Sequence, residues 1–255
     1  FLLVIVTVIV MVRKKGKRKK LEYVITAKIE NPFHKEDYKD VIAILDSGTL
    51  YATMLQEHFE ELFGVDLKYA IPKSERKCIL AKTLGGYSIL LGGLWMKVQV
   101  PIEVIEDREK IWRTISLKWY FIPNTSDRES VVWFLQNSDK CIEKEIEILK
   151  EKLIKELDII LENKDLYQKY RDAYGLEIIR RNGKVTISLR KGKIISEIVS
   201  DWNEIMYSLR RGEKFYVILP LQDIISDIEK EYSNARYSLK KKIIVVDEYV
   251  GAWFI

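Results

Sequence analysis

The pattern of apolar and polar positions changes character twice along the chain. The first twelve residues, FLLVIVTVIVMV, carry no charge, and Thr7 is their one polar member. As a helix they reach about 18 Å, short of the roughly 30 Å of a bilayer core. The chain starts with Phe rather than Met, so residues ahead of it would complete the span, and residues 1–12 are expected to be part of a transmembrane anchor. A signal peptide, with its basic residues before the apolar run, fits less well, because here they follow it. A buried strand is the other alternative.

From residue 21 the pattern shortens to strand-like pieces. LEYVITAKI (21–29) alternates loosely, Asn31-Pro32 ends it, and HKEDYKD makes a polar turn. VIAIL (41–45) is a continuous apolar strand cut off by Asp46-Ser47-Gly48-Thr49. Residues 53–63, TMLQEHFEELF, show helical spacing, with Gly64 as a stop. A loop at Gly85-Gly86, the strands YSILL, LWMKVQV and PIEVI with Gly92-Gly93 between two of them, and strand-like runs at 111–122 and 130–136 follow. Short strands with turn signals between them predict a small barrel or sandwich over 21–139.

Near residue 140 the period becomes helical. Ile142, Ile146, Leu149, Leu153, Leu157 and Ile160 recur at spacings of four and three, which suits either a coiled coil or an amphipathic helix packed on its own domain. Past Gly175, Asn182-Gly183 between LEIIRR and KVTISLR predicts a hairpin. A helix (194–210), a strand (215–219), a helix (223–240) and a strand (243–246) complete the reading. The predicted organisation is an anchor (1–12), a linker (13–20), a mainly β domain (21–139), a helical linker (140–173) and an α+β accessory domain (174–255).

Charge sharpens the N-terminal reading. The net charge of the chain is +5, but Arg13, Lys14, Lys15, Lys17, Arg18, Lys19 and Lys20 alone supply +7, which leaves −2 for the rest. The basicity belongs to one short segment, which argues against a nucleic-acid-binding face. A basic run behind an apolar one places the downstream chain on the cytoplasmic side and attracts anionic lipid headgroups. The abundance of Lys, Glu and Ile is a bias shared with heat-adapted proteins. With two cysteines (Cys78, Cys141) and two histidines (His34, His58), all scattered, no zinc site of usual spacing can be built. The cysteines are expected as buried free thiols, one disulfide being the alternative. No phosphate-loop motif occurs, and no cofactor or metal is expected. The accessory region is read as a binding or regulatory module.

VIAILDSGT resembles the active-site turn of pepsin-type and retroviral-type aspartic proteases: an apolar strand followed by Asp-Thr/Ser-Gly-Ala/Ser/Thr. The order of the surrounding pieces over about residues 21–138 is similar too. The resemblance to the retropepsin-like family implies a closed β-barrel with Asp46 as the catalytic residue. Ser47, Gly48 and Thr49 would form the turn, and Gly85 and Gly86 would belong to a flap; Ile89, Leu90 and Leu91 would serve as pocket walls or, the preferred reading of each alone, as a buried core strand. It implies an endopeptidase that takes an extended peptide or protein substrate. One motif supplies one aspartate, so a homodimer is required. The family also carries two apolar residues, a glycine and a short helix near the domain's end, as in I-L-G-x-D-x-L. The corresponding place here is expected at Ser130–Gln136, where Trp133 stands for the glycine. A degenerate relative acting as a membrane scaffold or sensor is the rival reading, and a polybasic membrane-surface adaptor a third.

Overall fold

The computed structural model describes residues 23–82, 87–181 and 184–251. The expected anchor (1–12) and the basic run from Arg13 to Lys20 lie outside the described residues. Among the described residues no helix is long and apolar enough to cross a membrane. The chain forms two compact units. One takes the described residues up to Arg76, then Gly92–Ile122 and the described residues from Tyr207 on; the other takes Lys77–Leu91 and Pro123–Met206. This differs from the expected division at 139 and 173.

The first unit is built on a closed six-stranded barrel. Its strands are β1 (Val24–Glu30), β2 (Tyr38–Asp46), β3 (Ala52–Leu55), the unit's part of β5 (Tyr87–Val104), β6 (Glu109–Ile122) and β10 (Lys214–Pro220), in the order β1-β2-β10-β3-β6-β5, with β5 returning to β1. Two of the six neighbour pairs are parallel, β2 with β10 and β3 with β6. Parallel neighbours need crossover connections, so the barrel is assembled from distant segments. Its core alternates along the strands as a period of two requires: Ile25, Ala27 and Ile29 in β1, Val41, Ala43 and Leu45 in β2, and Val217 and Leu219 in β10 are buried. Each large side chain so buried contributes roughly 1.5–3 kcal/mol.

Gly92 and Gly93, expected between two strands, lie within one long strand. A Cβ on Gly92 would fall 2.4 Å from the Trp119 carbonyl oxygen, and Gly93 has φ +129° with the Glu75 carbonyl oxygen 2.2 Å from its would-be Cβ. The glycines allow close backbone approach and make no turn. α1 (Gln56–Phe63) is shorter than the predicted helix, because Thr53 to Leu55 belong to β3; Gly64 ends it in the left-handed conformation. α2 (Leu67–Ala70) follows. β11 (Arg236–Ser238) and β12 (Ile243–Val246) extend the sheet from β5, and β9 (Arg210–Arg211) pairs with β10. The predicted helix 223–240 is only α8 (Leu221–Ile228), since residues 236–238 pair as strand.

The second unit is mostly helical: α3 (Arg128–Asn137), α4 (Asp139–Lys155), α5 (Leu157–Glu162), α6 (Lys164–Tyr174) and α7 (Lys191–Leu209), the last running on into the first unit's residues. β4 (Lys77–Lys82) and the hairpin β7 (Glu177–Arg181)–β8 (Lys184–Ser188) complete it. The predicted hairpin is present, and its turn residues 182 and 183 lie outside the described ones. Residues 130–136, read as strand, are helix α3, because Asp127 caps it by accepting from the Glu129 and Ser130 amides. The long predicted helix is broken at Glu156 and Asn163. Its seam is buried within its own unit at Ile142, Leu149, Leu153 and Ile160, so the packed amphipathic reading holds and the coiled-coil one does not. Cys78 of β4 and Cys141 of α4 form a disulfide, which corrects the expectation of free thiols. The two cysteines are far apart in sequence, and only the folded unit brings them together.

Candidate functional site

Asp46 is the last residue of β2 and is half-buried. The strand ends there because Ser47, Gly48 and Thr49 favour a turn. The Gly48 amide donates to Asp46 Oδ1 at 2.8 Å, which fixes one carboxylate oxygen in an Asx turn. Thr49 Oγ1 accepts from the Tyr51 amide at 3.3 Å and donates to the Tyr51 carbonyl at 3.2 Å, locking the entry into β3. Ser47 is exposed, as is Leu50, at 71 %. The turn thus presents a hydroxyl, an apolar side chain and a half-buried carboxyl on one outer edge of the barrel.

β10 backs this edge. It runs parallel to β2 with Ala43 opposite Val217, Ile44 opposite Ile218, Leu45 opposite Leu219 and Asp46 opposite Pro220. Directly beyond lies α8. The sequence here, Ile218-Leu219-Pro220-Leu221-Gln222-Asp223-Ile224, has two apolar residues, a proline where the sought pattern has glycine, and a short helix. This stretch adjoins the Asp46 turn and differs from I-L-G-x-D-x-L at Pro220 and Gln222, whereas Ser130–Gln136, the place expected for that pattern, is helix α3, where Trp133 packs edge-on against Phe134. These residues belong to the expected accessory region, and only the pairing of β10 with β2 brings residues 218–224 beside the Asp46 turn.

An open cleft of about 420 Å³ adjoins the turn. Leu50, Tyr51 and Ala52, the residues just after the turn, form one wall with Pro220; Trp95, Leu117, Lys118 and Tyr120 form another, and Asp223, Ser226, Asp227 and Lys230 of α8 and its end close it. Tyr51 packs edge-on against Tyr120 at 5.0 Å. Burial, with the nearby Tyr51 hydroxyl, raises the pKa of Tyr120, so it stays a neutral phenol. Asp227 is held by Arg113 at 3.2 Å and Lys230 at 2.9 Å, and Arg113 also meets Glu231 at 2.9 Å.

Gly85 and Gly86, the expected flap, lie outside the described residues; the strands on either side, β4 and β5, pair with each other. Ile89, Leu90 and Leu91 are buried at 0–5 % exposure and serve as core, the preferred of their two expected roles, rather than as cleft walls. The Trp202 indole donates to the Ile89 carbonyl at 2.6 Å, tying this strand to α7 inside the helical unit.

Three further perturbed groups carry no signal in the sequence. In the helical unit, burial and the neighbouring Glu204 and Glu197 push Asp201 up to about 6. Glu145, 5 % exposed and with Oε2 unpartnered, is raised by burial and by Asp201. In the barrel unit, burial lowers the pKa of His58, against a Nδ1 contact to the Tyr216 carbonyl at 3.3 Å. Among the described residues no cluster of three or more His, Cys, Asp or Glu side chains is arranged to hold a metal ion. Compared with known proteins, the chain matches no family model, no curated protein and no solved structure.

Proposed function

We propose that the barrel unit is one half of a retropepsin-like aspartic endopeptidase, completed by a second copy so that two Asp46 carboxyls form the catalytic dyad. The observation that carries this reading is the D-S-G-T turn at the end of β2, backed in parallel by the apolar strand β10 and its following helix, within a closed six-stranded barrel. Two carboxylates a few ångströms apart cannot both ionise, so the pair shares a proton. One acts as base toward a water that attacks the peptide carbonyl, and the other protonates the carbonyl oxygen. An extended peptide would bind as an added strand through its backbone, its side chains entering pockets such as the cleft beside Leu50.

The apolar N-terminal segment and the basic residues 13–20 would hold this enzyme at a membrane, with its soluble part on the cytoplasmic side. Tethering two copies there raises their effective concentration and favours the dimer. Disulfides are rare in the cytosol except in heat-adapted cells. The Lys- and Glu-rich composition of the chain is consistent with that exception.

A peptide-library digest across pH tests the reading, comparing the native chain with Asp46→Asn and with a statine inhibitor present. Cleavage that peaks at mildly acidic pH, is lost in Asp46→Asn and is blocked by statine is expected; cleavage unchanged in Asp46→Asn would falsify the assignment. Sedimentation at high concentration should find a dimer.

A second reading, a catalytically silent scaffold with the same barrel, is favoured by Pro220 standing where the family pattern has glycine. It forecasts a dimer that binds partners and cleaves nothing at any pH, with partner capture unaffected by Asp46→Asn.

A further inference from the structure

We propose that the cleft beside the Asp46 turn takes a lysine or arginine side chain of an extended peptide, and that Asp223 selects it. This rests on the peptidase reading for its biological meaning, although the cleft's chemistry can be tested without turnover. The cleft has a size suited to a side chain or small ligand, at about 420 Å³ against roughly 300–1,000 Å³ for ligand pockets. Its position is set by covalent continuity, because Leu50 to Ala52 follow the turn directly and Pro220 stands opposite Asp46.

The charges lining the cleft are not equivalent. Asp227 is neutralised by Arg113 and Lys230, which also occupies Lys230. Lys118 lies over the Trp95 ring, 5.8 Å from its centroid, so that aromatic face already accommodates a cation. Asp223, in the first turn of α8, is exposed and has no hydrogen bond or ion pair among the described residues. The cleft therefore offers one uncompensated carboxylate above an aromatic and aliphatic lining. A lysine or arginine matches that combination, laying its methylene stem along Tyr51 and Leu117 and its charge toward Asp223. An acidic side chain would meet Asp223 and find Lys230 paired with Asp227, with Lys118 on the Trp95 ring as the one cation left to answer it among the described lining residues, and a purely aliphatic one would leave Asp223 unanswered.

The experiment uses the full chain carrying Asp46→Asn, so that binding is read without cleavage. Fluorescence anisotropy follows labelled extended peptides in which arginine, norleucine or glutamate is placed in turn at each position. At one position arginine should bind about ten-fold tighter than norleucine, with glutamate weakest. Adding Asp223→Asn should erase the arginine advantage while leaving norleucine binding and the circular dichroism spectrum unchanged. Binding without a cation preference, a preference that survives Asp223→Asn, or no binding of any peptide overturns the proposal. Cleavage by the Asp46-intact chain is a separate measurement. Asp223-dependent binding without cleavage keeps the cleft and rejects the peptidase, whereas cleavage indifferent to arginine does the reverse.

Discussion

Asp46 and Pro220 are register partners at the ends of two parallel strands, so a proline stands directly beside the candidate catalytic turn. Proline has no amide hydrogen to give to a neighbouring strand, and its φ of −71° is its natural value. Pro220→Gly should therefore preserve the barrel and lower its stability by about 0.4–1 kcal/mol, mainly through a freer unfolded chain. Urea denaturation followed by tryptophan fluorescence reads this. A loss of several kcal/mol would mean that the ring itself packs something essential.

Removing the Cys78–Cys141 link by Cys78→Ser with Cys141→Ser should cost about 2–4 kcal/mol, because the bond closes a long loop in the unfolded chain. The urea midpoint of the oxidised native chain should fall to that of the double variant when a dithiol is added. If the reductant leaves the midpoint unchanged, the bond is absent in solution.

Acid should act on the two units in opposite directions. The folded barrel unit depresses the pKa of His58, so its stability is present above pH 6.5 and declines as pH falls below that. The folded helical unit raises Asp201 from 3.8 to about 6, so its stability is greatest below pH 4 and is lost as pH rises through 6. Asp201 is only half-buried, so screening reduces its effect to on the order of 1 kcal/mol. Amide hydrogen exchange at pH 5 and pH 7.5 should show protection in α4 and α7 falling with pH, and Asp201→Asn should flatten that dependence.

Gly93→Ala should destabilise the barrel by at least about 2 kcal/mol, since the new Cβ meets the Glu75 backbone at a φ that L residues rarely adopt. Gly212→Ala is the comparison: it too has positive φ, +69°, but its Cβ would meet nothing within 4 Å. Thermal melts of the two variants separate the clash from the backbone strain. Equal melting temperatures would refute the close approach at Gly93.

The strands β1, β2, β6 and β10, read as alternating or apolar β-rich runs, were legible from sequence, and so was the Asp46 turn, because strong local preference decides them. What failed was long-range assignment. Residues 130–136 are as apolar as a strand, but the Asp127 cap made them a helix. Residues 236–238 continue a helical pattern, yet pairing with β12 took them into the sheet. Sequence distance hid the partner of β2, for nothing local in FYVIL says which strand it will lie beside. Asp223 was invisible for the same reason: it borders the candidate site only because β10 does.

The pairing of Ile42 with Tyr216 also dictates an order of events during synthesis. At about 5–20 residues per second, β2 leaves the ribosome on the order of ten to thirty seconds before β10 exists. Throughout that interval one edge of β2 has no neighbour, and an unpaired apolar edge is a template for aggregation. The long run Pro123–Met206 is complete earlier and has a core of its own, in Phe134, Ile142, Leu149, Leu153 and Trp202. A nascent chain stalled before residue 214 would thus carry a folded helical body and an open barrel, the form that a chaperone or a protease would be expected to seize first.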